Sequence, residues 1–318
     1  MGTRALMTDT QPDDGEDAFR QLVRRLDPRA TLLRTWRLTG GVSAQVTALE
    51  IERPDGQTTK LIVRRHGAVD RTRNPHIARD EFKLLRIAQS HGLAAPKPYD
   101  VDESCELFPT PFLVIDYVDG DTEFAPPDQA DYLAQTATQL AKIHGVNLTQ
   151  DLSFLPGLDK GFGDRPENLD ASMGEARIRD ALESTWPLSR LNDPVLLHGD
   201  YWPGNILWKD GRLIAVIDWE DAHVGDPLAD LANSRLELLW LFGPDAMTAF
   251  TDHYRSMTTI DFTNLPYWDL CAALRPCSQL STWGPDEATE QRMRDRHDLF
   301  VTQALGNFPV QRSARHPN

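Results

Sequence analysis

The chain of 318 residues is poor in cysteine and lacks any long apolar run. Its three cysteines, Cys105, Cys271 and Cys277, form no Cys-x-x-Cys pair, and an odd number of thiols cannot all pair. A disulfide framework or a zinc site is therefore not predicted, and reduced thiols in a cytoplasmic protein are expected instead. Because no run of about 18 apolar residues occurs, no membrane-spanning helix is predicted either.

Basic residues are also in deficit, since 33 Lys and Arg face 48 Asp and Glu and give a net charge of −15. A negative net charge argues against non-specific binding to nucleic acid, because such binding needs basic side chains opposite the phosphates. It would suit a cationic small molecule, although acidic cytoplasmic enzymes are common. The polar residues 1–17 lack the apolar core of a signal peptide and are expected to be flexible.

The first part of the chain is dominated by strand-like runs. Four strands are predicted from short apolar or β-branched stretches, at residues 36–38, 46–51, 60–65 and 112–117. A turn signal at residues 53–56, Arg-Pro-Asp-Gly, joins the second strand to the third as a hairpin. Helical periodicity at residues 79–91 predicts one helix, which Gly92 ends.

The remainder of the chain has a mainly helical pattern. Asp128 is predicted to cap one helix, and another is predicted at residues 175–186. A cluster of short strands is expected near residues 195–218. These patterns predict an α+β fold with an antiparallel-sheet N-terminal lobe at residues 18–118 and a mostly helical C-terminal lobe at residues 119–318.

One hairpin near the middle of the chain could gather metal ligands. Residues 206–208 and 213–217 are predicted to form two strands joined by a tight turn. Antiparallel pairing then brings Asn205 and Asp218 to the same open end of the hairpin. An amide oxygen and a carboxylate are hard ligands of the kind that Mg²⁺ takes together with phosphates.

Asp200 lies in the loop that leads to this open end, and Gly199 and Gly204 allow the loop to approach a ligand closely. A carboxylate at that point could accept the proton of an attacking hydroxyl or orient it. His198 is expected to brace the loop by side-chain hydrogen bonds. A metal-dependent hydrolase using His198, Asp200 and His223 is an alternative, but no His-x-x-x-His spacing supports it.

The motif HGDxxxxN at residues 198–205, followed by IDW at residues 217–219, resembles the aminoglycoside phosphotransferase and choline kinase superfamily. Members of that superfamily are similar to protein kinases in fold and mechanism. The resemblance implies a bilobal protein-kinase-like fold with ATP in the cleft between the lobes. It also implies Mg²⁺-dependent transfer of the γ-phosphoryl group to a hydroxyl, with Asp200 catalytic and Asn205 and Asp218 holding the metal.

A second element, GDPLADLA at residues 225–232, resembles a further motif of the same family. Asp226 is predicted to cap the following helix, with Pro227 at the first helical position. Asp230 is expected only to complement the positive end of that helix. Neither carboxylate is predicted to be catalytic.

The resemblance also implies nucleotide-binding residues in the N-terminal lobe. A Gly-Gly loop between the first two strands corresponds to the phosphate-covering loop of the family, with Ser43 facing the phosphates. Arg64 stands where the family has a lysine, and Glu81 is its expected partner. Arg65 should point to the opposite face of the strand. Adenine would bond to backbone near Asp116 and Val118.

The acceptor stays open, because family members phosphorylate aminoglycosides, macrolides, choline, homoserine and sugar derivatives. Acidic residues near Glu220 and Asp221 favour a cationic acceptor, yet they would also form an ordinary solvated surface. An antibiotic-resistance enzyme and a metabolic kinase are not distinguished. The arginine at residue 64 motivates another interpretation, a nucleotide-binding protein without transfer activity.

Overall fold

The structure, a computed structural model, describes residues 15–38, 44–146, 152–158 and 160–308. Its contacts divide the chain into two compact units. The first unit runs to Lys83 and includes Lys97–Tyr117, and the second contains Leu84–Pro96 and the chain from Val118 onward. Within these described stretches, no helix has both the length and the apolar character needed to cross a membrane.

The first unit is built on one antiparallel sheet. Its strands are β1 Thr31–Arg37, β2 Ala44–Glu52, β3 Thr58–His66, β4 Pro98–Asp102 and β5 Phe112–Asp116. They lie in the order β1-β2-β3-β5-β4, and every neighbouring pair is antiparallel. Among the described residues up to residue 90, the helices are α1 Glu16–Leu26, α2 Ala68–Arg73 and α3 Ile77–Ser90. The predicted antiparallel sheet is therefore confirmed, although β4 was not among the predicted strands.

Helix α1 covers one face of this sheet with three buried side chains. Phe19, Leu22 and Val23 pack with sheet residues that include Leu61 and Val63, all at most 4% exposed. The helix owes its stability to this burial, because an isolated helix of 11 residues is marginal in water. Phe19, Leu22 and Val23 recur at helical spacing, so the apolar pattern carries a signal for this helix, although the helix was not among the predicted ones.

The second unit is mostly helical, as predicted. Its helices are α4 Gln129–His144, α5 Glu175–Thr185, α6 Leu228–Phe242, α7 Pro244–Met257, α8 Leu265–Leu274 and α9 Glu287–Gly306. Its short strands are β6 Val195–Leu197, β7 Ile206–Lys209, β8 Arg212–Val216 and β9 His223–Gly225. Helix α6 is buried on almost every side because it packs against α7, α8 and α9. This helix supplies a rigid support for the loops that precede it.

Local sequence signals account for several helix ends. The Asp128 side chain accepts a hydrogen bond from the Asp131 amide at 3.0 Å, which confirms the predicted cap of α4. Pro244 opens α7 directly after α6, where its missing N–H costs no helical hydrogen bond. Helix α5 ends at Thr185, one residue before the predicted end of that helix.

Candidate active site

The predicted hairpin is confirmed, and it places two proposed metal ligands at one end. Strands β7 and β8 pair antiparallel, with Ile206 opposite Val216. Asp210 and Gly211 both have positive φ, 50° and 72°, which is the two-residue turn that suits a twisted hairpin. Beyond the strands, the Ile217 amide donates to the carbonyl of Asn205 at 2.9 Å. Asn205 therefore lies opposite Ile217, and Asp218 follows at the open end.

The side chain of Asn205 is fixed by the residue predicted to be catalytic. Its amide nitrogen donates to the carbonyl oxygen of Asp200 at 2.9 Å and to Oδ2 of the same residue at 3.0 Å. Asn205 is 7% exposed, so little freedom remains to its amide group. Both amide hydrogens face Asp200, which leaves the amide oxygen as the atom that could hold a metal.

Asp218 adopts a backbone conformation that is rare for its residue type. Its φ is +68°, in the left-handed region that residues with a side chain occupy uncommonly. Such strain persists only where the surroundings impose it, and it concentrates at functional sites. The half-buried Asp218 carboxylate and the Asn205 amide oxygen are both hard oxygen donors, so this pair fits Mg²⁺.

Asp200 is held from two sides. Its Oδ2 accepts from Asn205, and its Oδ1 accepts from Nη2 of Arg275 at 2.8 Å. The preceding Gly199 has φ +84°, and a Cβ at this position would lie 2.1 Å from the carbonyl oxygen of Asp221. Only glycine fits both constraints, which explains its place before Asp200. No local sequence signal predicted Arg275, because it lies 75 residues from Asp200 along the chain.

His198 braces the loop, as the sequence predicted. Its Nε2 donates to the carbonyl of Ile217 at 3.0 Å, and its Nδ1 accepts from the amide of Asp200 at 3.3 Å. The ring is fully buried and lies 4.6 Å from the ring of Trp219. His223 directs its Nδ1 at the carbonyl of Asp221 at 2.7 Å. The two histidines thus bond to backbone, which gives the hydrolase interpretation no support.

Asp230 corrects a prediction, because its carboxylate does more than complement a helix end. It lies in the first turn of α6 and accepts the amides of His198 at 2.7 Å and Gly199 at 2.9 Å. His144 approaches it at 3.4 Å through Nε2 and contacts the Tyr254 hydroxyl at 2.6 Å through Nδ1. Burial alone would raise the pKa of Asp230, but the hydrogen bond and charge of His144 outweigh it and lower that pKa to about 2.

Asp226 hydrogen-bonds to the first residue of α6, although Pro227 and not Asp226 is the residue directly before the helix. Its Oδ1 accepts the amide of Leu228 at 3.0 Å and the side-chain amide of Asn192 at 3.2 Å. Helix α6 begins at Leu228, so Pro227 precedes the first helical residue instead of occupying it. Burial raises the pKa of Asp226, in contrast to the lowered pKa of Asp230.

The predicted pair in the first unit is also present. Arg64 on β3 approaches Glu81 on α3 with Nε 3.5 Å from Oε2, and both side chains are buried. The same oxygen lies 2.9 Å from Nε2 of His66. His66 was not predicted, although its spacing of two from Arg64 places it on the same strand face. Arg65 lies over the ring of Phe108 at 5.0 Å, in line with its predicted opposite orientation.

The other residues predicted to bind the nucleotide are only partly described by the structure. Ser43 and the Gly-Gly pair lie outside the described residues. Asp116 ends β5, and its Oδ1 accepts the Tyr99 hydroxyl at 2.6 Å. Burial and then this bond raise the pKa of Tyr99 to about 12. The Val118 carbonyl accepts the amide of Gly120 at 3.1 Å. The Asp116 side chain is thus engaged with Tyr99, and adenine binding by the backbone at Asp116 and Val118 stays a prediction.

Two further carboxylates lie within electrostatic range of Asp200. Burial raises the pKa of Asp221, and the charges of Glu220 and Asp200 raise it further. Burial also raises the pKa of Glu237, on α6, to about 7, with a contribution from Asp200. The charge of Arg275 opposes both shifts. Glu237 was not predicted, because nothing in a helical pattern shows that one carboxylate faces a distant loop.

Comparison with known proteins places this geometry in a family. The profile of the Phosphotransferase enzyme family (APH) matches residues 35–264. The chain belongs to this family. It is thus a small-molecule phosphotransferase of the kinase type, and both the predicted family and the predicted class of enzyme are confirmed.

Solved structures agree on the fold. The chain superposes with a TM-score of 0.60 on an aminoglycoside phosphotransferase, APH(4)-Ia, in a ternary complex with AMP-PNP and hygromycin B, at 17% identity over 91% of this chain and 99% of the other. A spectinomycin phosphotransferase, APH(9)-Ia, in complex with ADP and spectinomycin gives 0.59 at 14% identity, over 93% and 99%. The predicted protein-kinase-like fold class is confirmed.

Curated relatives are longer than this chain. Acyl-CoA dehydrogenase family member 11 of Homo sapiens is 28% identical over 178 residues, which is 50% of this chain and 23% of the relative. The chain therefore spans about a quarter of that protein's length.

Proposed function

We propose that this enzyme transfers the γ-phosphoryl group of ATP to a hydroxyl of a small molecule, with Mg²⁺ as cofactor. The observation that carries the proposal is the doubly held carboxylate of Asp200 beside the end of the hairpin that bears Asn205 and Asp218. The AMP-PNP and ADP complexes of the similar structures support an adenine nucleotide. Their bound hygromycin B and spectinomycin support a small-molecule acceptor.

Asp200 would take the proton of the acceptor hydroxyl as the oxygen attacks the γ-phosphorus. The new P–O bond forms while the bond from that phosphorus to the β,γ-bridging oxygen breaks, and ADP leaves with its electron pair. Asn205 and Asp218 would hold Mg²⁺, which supplies positive charge against the phosphate oxygens when bound. Most of the rate enhancement would come from positioning and charge stabilisation, as is general for phosphoryl transfer.

In the first unit, Arg64 would neutralise phosphate oxygens in place of the usual lysine. Its pairing with the buried Glu81 restricts the guanidinium, which can bond phosphate through two N–H groups at once. Ser43 and its loop would cover the phosphates, and backbone groups from Asp116 to Val118 would bond adenine. We expect the enzyme to act in the cytoplasm.

The class of acceptor is inferred from the charges near Asp200. The acidic surroundings of Asp200, with Glu220 and Asp221, favour an aminoglycoside-like or other cationic acceptor. The name of the human relative, which belongs to an acyl-CoA dehydrogenase family, adds acyl-CoA thioesters to the compounds to be screened. Both belong in a screen together with macrolides, choline, ethanolamine, homoserine and several sugars.

The test is ATP consumption by the purified protein with Mg²⁺ and each acceptor, repeated with Asp200→Ala. An active acceptor should give ADP and a phosphorylated product in equal amounts. The variant should bind ATP as the wild type does, while its turnover falls about 10³-fold, within the range for removing a positioned general base. Asp252→Ala, an exposed carboxylate on α7, serves as the matched control and should remain active.

An Asp200→Ala variant that phosphorylates at the wild-type rate would show that the role of Asp200 is wrong. A wild-type protein that binds ATP but phosphorylates none of the panel would favour the interpretation without transfer activity. Failure to bind ATP would refute the proposed function as a whole.

A further inference from the structure

Arg275 contacts the catalytic loop at two points. It follows directly after α8, and its Nη2 donates to Oδ1 of Asp200 at 2.8 Å. Its Nη1 donates to the carbonyl of Gly199 at 3.3 Å. One guanidinium thus holds both the backbone before Asp200 and the carboxylate itself. This two-point contact fixes the orientation of the Asp200 carboxylate relative to the loop backbone, because the N–H groups of arginine form a rigid fork.

The other oxygen of the Asp200 carboxylate, Oδ2, accepts a hydrogen bond from Asn205. Its amide donates to Oδ2 of Asp200 at 3.0 Å and to the carbonyl of that residue at 2.9 Å. Asp200 is therefore clamped between an amide on one side and a guanidinium on the other. An ionised carboxylate offers about four lone-pair directions, so each oxygen retains one for an incoming hydroxyl.

Charge gives the arginine a second effect. Burial raises the pKa of Asp221 and of Glu237, the charge of Asp200 adds to both shifts, and the charge of Arg275 opposes them. The guanidinium therefore lies within electrostatic range of three carboxylates. Without Arg275, Oδ1 of Asp200 would lose its charged donor, and only the contacts of Asn205 would orient the carboxylate.

We propose that Arg275 is a positioning residue for phosphoryl transfer, holding the Asp200 carboxylate where it takes the proton of the acceptor hydroxyl. This role rests on the proposed function. The proton passes from the hydroxyl to Asp200, the hydroxyl oxygen forms the bond to the γ-phosphorus, and ADP leaves. Arg275 exchanges no proton, because its guanidinium stays charged throughout.

The exposure of the pair separates this role from a structural one. The Arg275 side chain is 42% exposed and that of Asp200 31% exposed. Exposed ion pairs contribute little to folding stability, so the loss of Arg275 should leave the fold intact. A reacting group displaced by about 1 Å can still cost about 100-fold in rate. The rate should thus respond to a substitution that hardly affects stability.

The experiment compares Arg275→Met and Arg275→Lys in the full-length enzyme, with the acceptor that the wild type phosphorylates. Arg255→Met is the matched control, since Arg255 is an exposed arginine of the same unit that lies over the ring of Phe262. In Arg275→Met, kcat should fall about 10- to 100-fold while KM for ATP stays within about twofold. Arg275→Lys should recover part of kcat, and the control should match the wild type.

A double variant tests whether the arginine acts through Asp200. In an Asp200→Asn background, adding Arg275→Met should lower the residual kcat no further, because the group that it positions is already disabled. Urea unfolding of the single variant should retain the wild-type midpoint. A shifted midpoint with a proportional loss of activity would instead assign Arg275 a structural role.

Three further outcomes would overturn the inference. A wild-type kcat in Arg275→Met refutes the positioning role alone, provided the wild type transfers phosphate. A change confined to KM for the acceptor means that Arg275 binds the acceptor instead. If the wild type transfers phosphate to no acceptor of the panel, the proposed function fails and this role fails with it.

Discussion

Replacing Asp230 by asparagine tests how the loop that carries Asp200 is held. The carboxylate is 2% exposed and accepts the amides of His198 and Gly199 at 2.7 and 2.9 Å. Asparagine has nearly the same shape but only one acceptor oxygen. Its NH₂ group must therefore face one of the two backbone amides, donor against donor. His144 would also lose its charged partner.

The expected cost can be worked out from these contacts. A hydrogen bond to a charged group contributes about 1.5–3 kcal/mol, and a buried donor left without an acceptor costs about 1–3 kcal/mol. The two estimates overlap, because they describe the same amide, so we expect a net loss of about 3 kcal/mol. That loss corresponds to about a 100-fold change in the opening equilibrium of the loop. Displacement of Asp200 should lower kcat by about 10- to 100-fold.

Asp226→Asn is the matched control, because it lies four residues earlier and its pKa is raised by burial. Because the pKa of Asp226 is raised, the stability that its protonated carboxyl contributes is fully present when the pH is below the ordinary pKa of aspartate. This contribution is lost as the pH rises through the raised pKa. At pH 7 this substitution should therefore be neutral or stabilising. Asp230 has the opposite sign, because its pKa is lowered to about 2. The stability that the ionised Asp230 carboxylate contributes is fully present when the pH is above the ordinary pKa of aspartate. It is lost only as the pH falls through the lowered pKa of about 2.

Native-state hydrogen exchange of the His198 and Gly199 amides measures the effect where it should occur. Protection of these two amides should fall about 100-fold in Asp230→Asn and stay unchanged in Asp226→Asn. Equal protection in Asp230→Asn and the wild type would refute the reasoning, and so would equal damage from both substitutions.

Three further predictions follow from single contacts. Gly199→Ala should destabilise the protein by at least about 3 kcal/mol, measured by urea unfolding, because its Cβ would meet the Asp221 carbonyl at 2.1 Å in a left-handed conformation. Asn205→Ala should raise the Mg²⁺ concentration for half-maximal rate at least about tenfold, measured by metal titration. Glu81→Gln should raise KM for ATP about tenfold in steady-state kinetics, because the buried Arg64 loses its charged partner.

Each of these three predictions has a result that contradicts it. A wild-type unfolding midpoint in the alanine variant of Gly199 would mean that the loop can move away. An unchanged Mg²⁺ requirement would remove Asn205 from the metal ligands. An unchanged KM for ATP with a large loss of stability would assign Glu81 a purely structural part.

The sequence predicted those parts of the site that depend on neighbouring residues. The turn at Asp210 and Gly211 starts the hairpin, and antiparallel pairing, with one register shift along the strands, brings Asn205 and Asp218 to one end. The alternation along β3 separates Arg64 from Arg65 in the same way. Such features need only local geometry, because a two-residue turn or a strand allows few arrangements. The roles of these residues in binding and transfer remain predictions.

Long-range contacts were not predictable by the same reasoning. Helix α1 is stabilised by burial against sheet residues that include Leu61 and Val63, and the apolar spacing within the helix does not show which surface it covers. Arg275 meets Asp200 across 75 residues. Asp230 meets His198 across 32 residues, although its motif was visible in the sequence. A motif shows that a carboxylate lies at the start of a helix, but the packing of that helix decides which backbone amides donate hydrogen bonds to the carboxylate.

The contrast between Asp230 and Asp226 shows what that packing adds. Both carboxylates stand at the start of α6 and both lie in a low-dielectric setting, so burial pushes the pKa of each upward. At Asp226, hydrogen bonds and the charge of His144 also favour the ionised form, but burial outweighs them. Asp230 has His144 at 3.4 Å and accepts two loop amides, and these contacts outweigh its burial. A charged, fully bonded carboxylate can then fix the backbone next to Asp200 from the rigid helix. Arg275 holds the same loop from the solvent side, where it can influence the rate without carrying the stability of the fold.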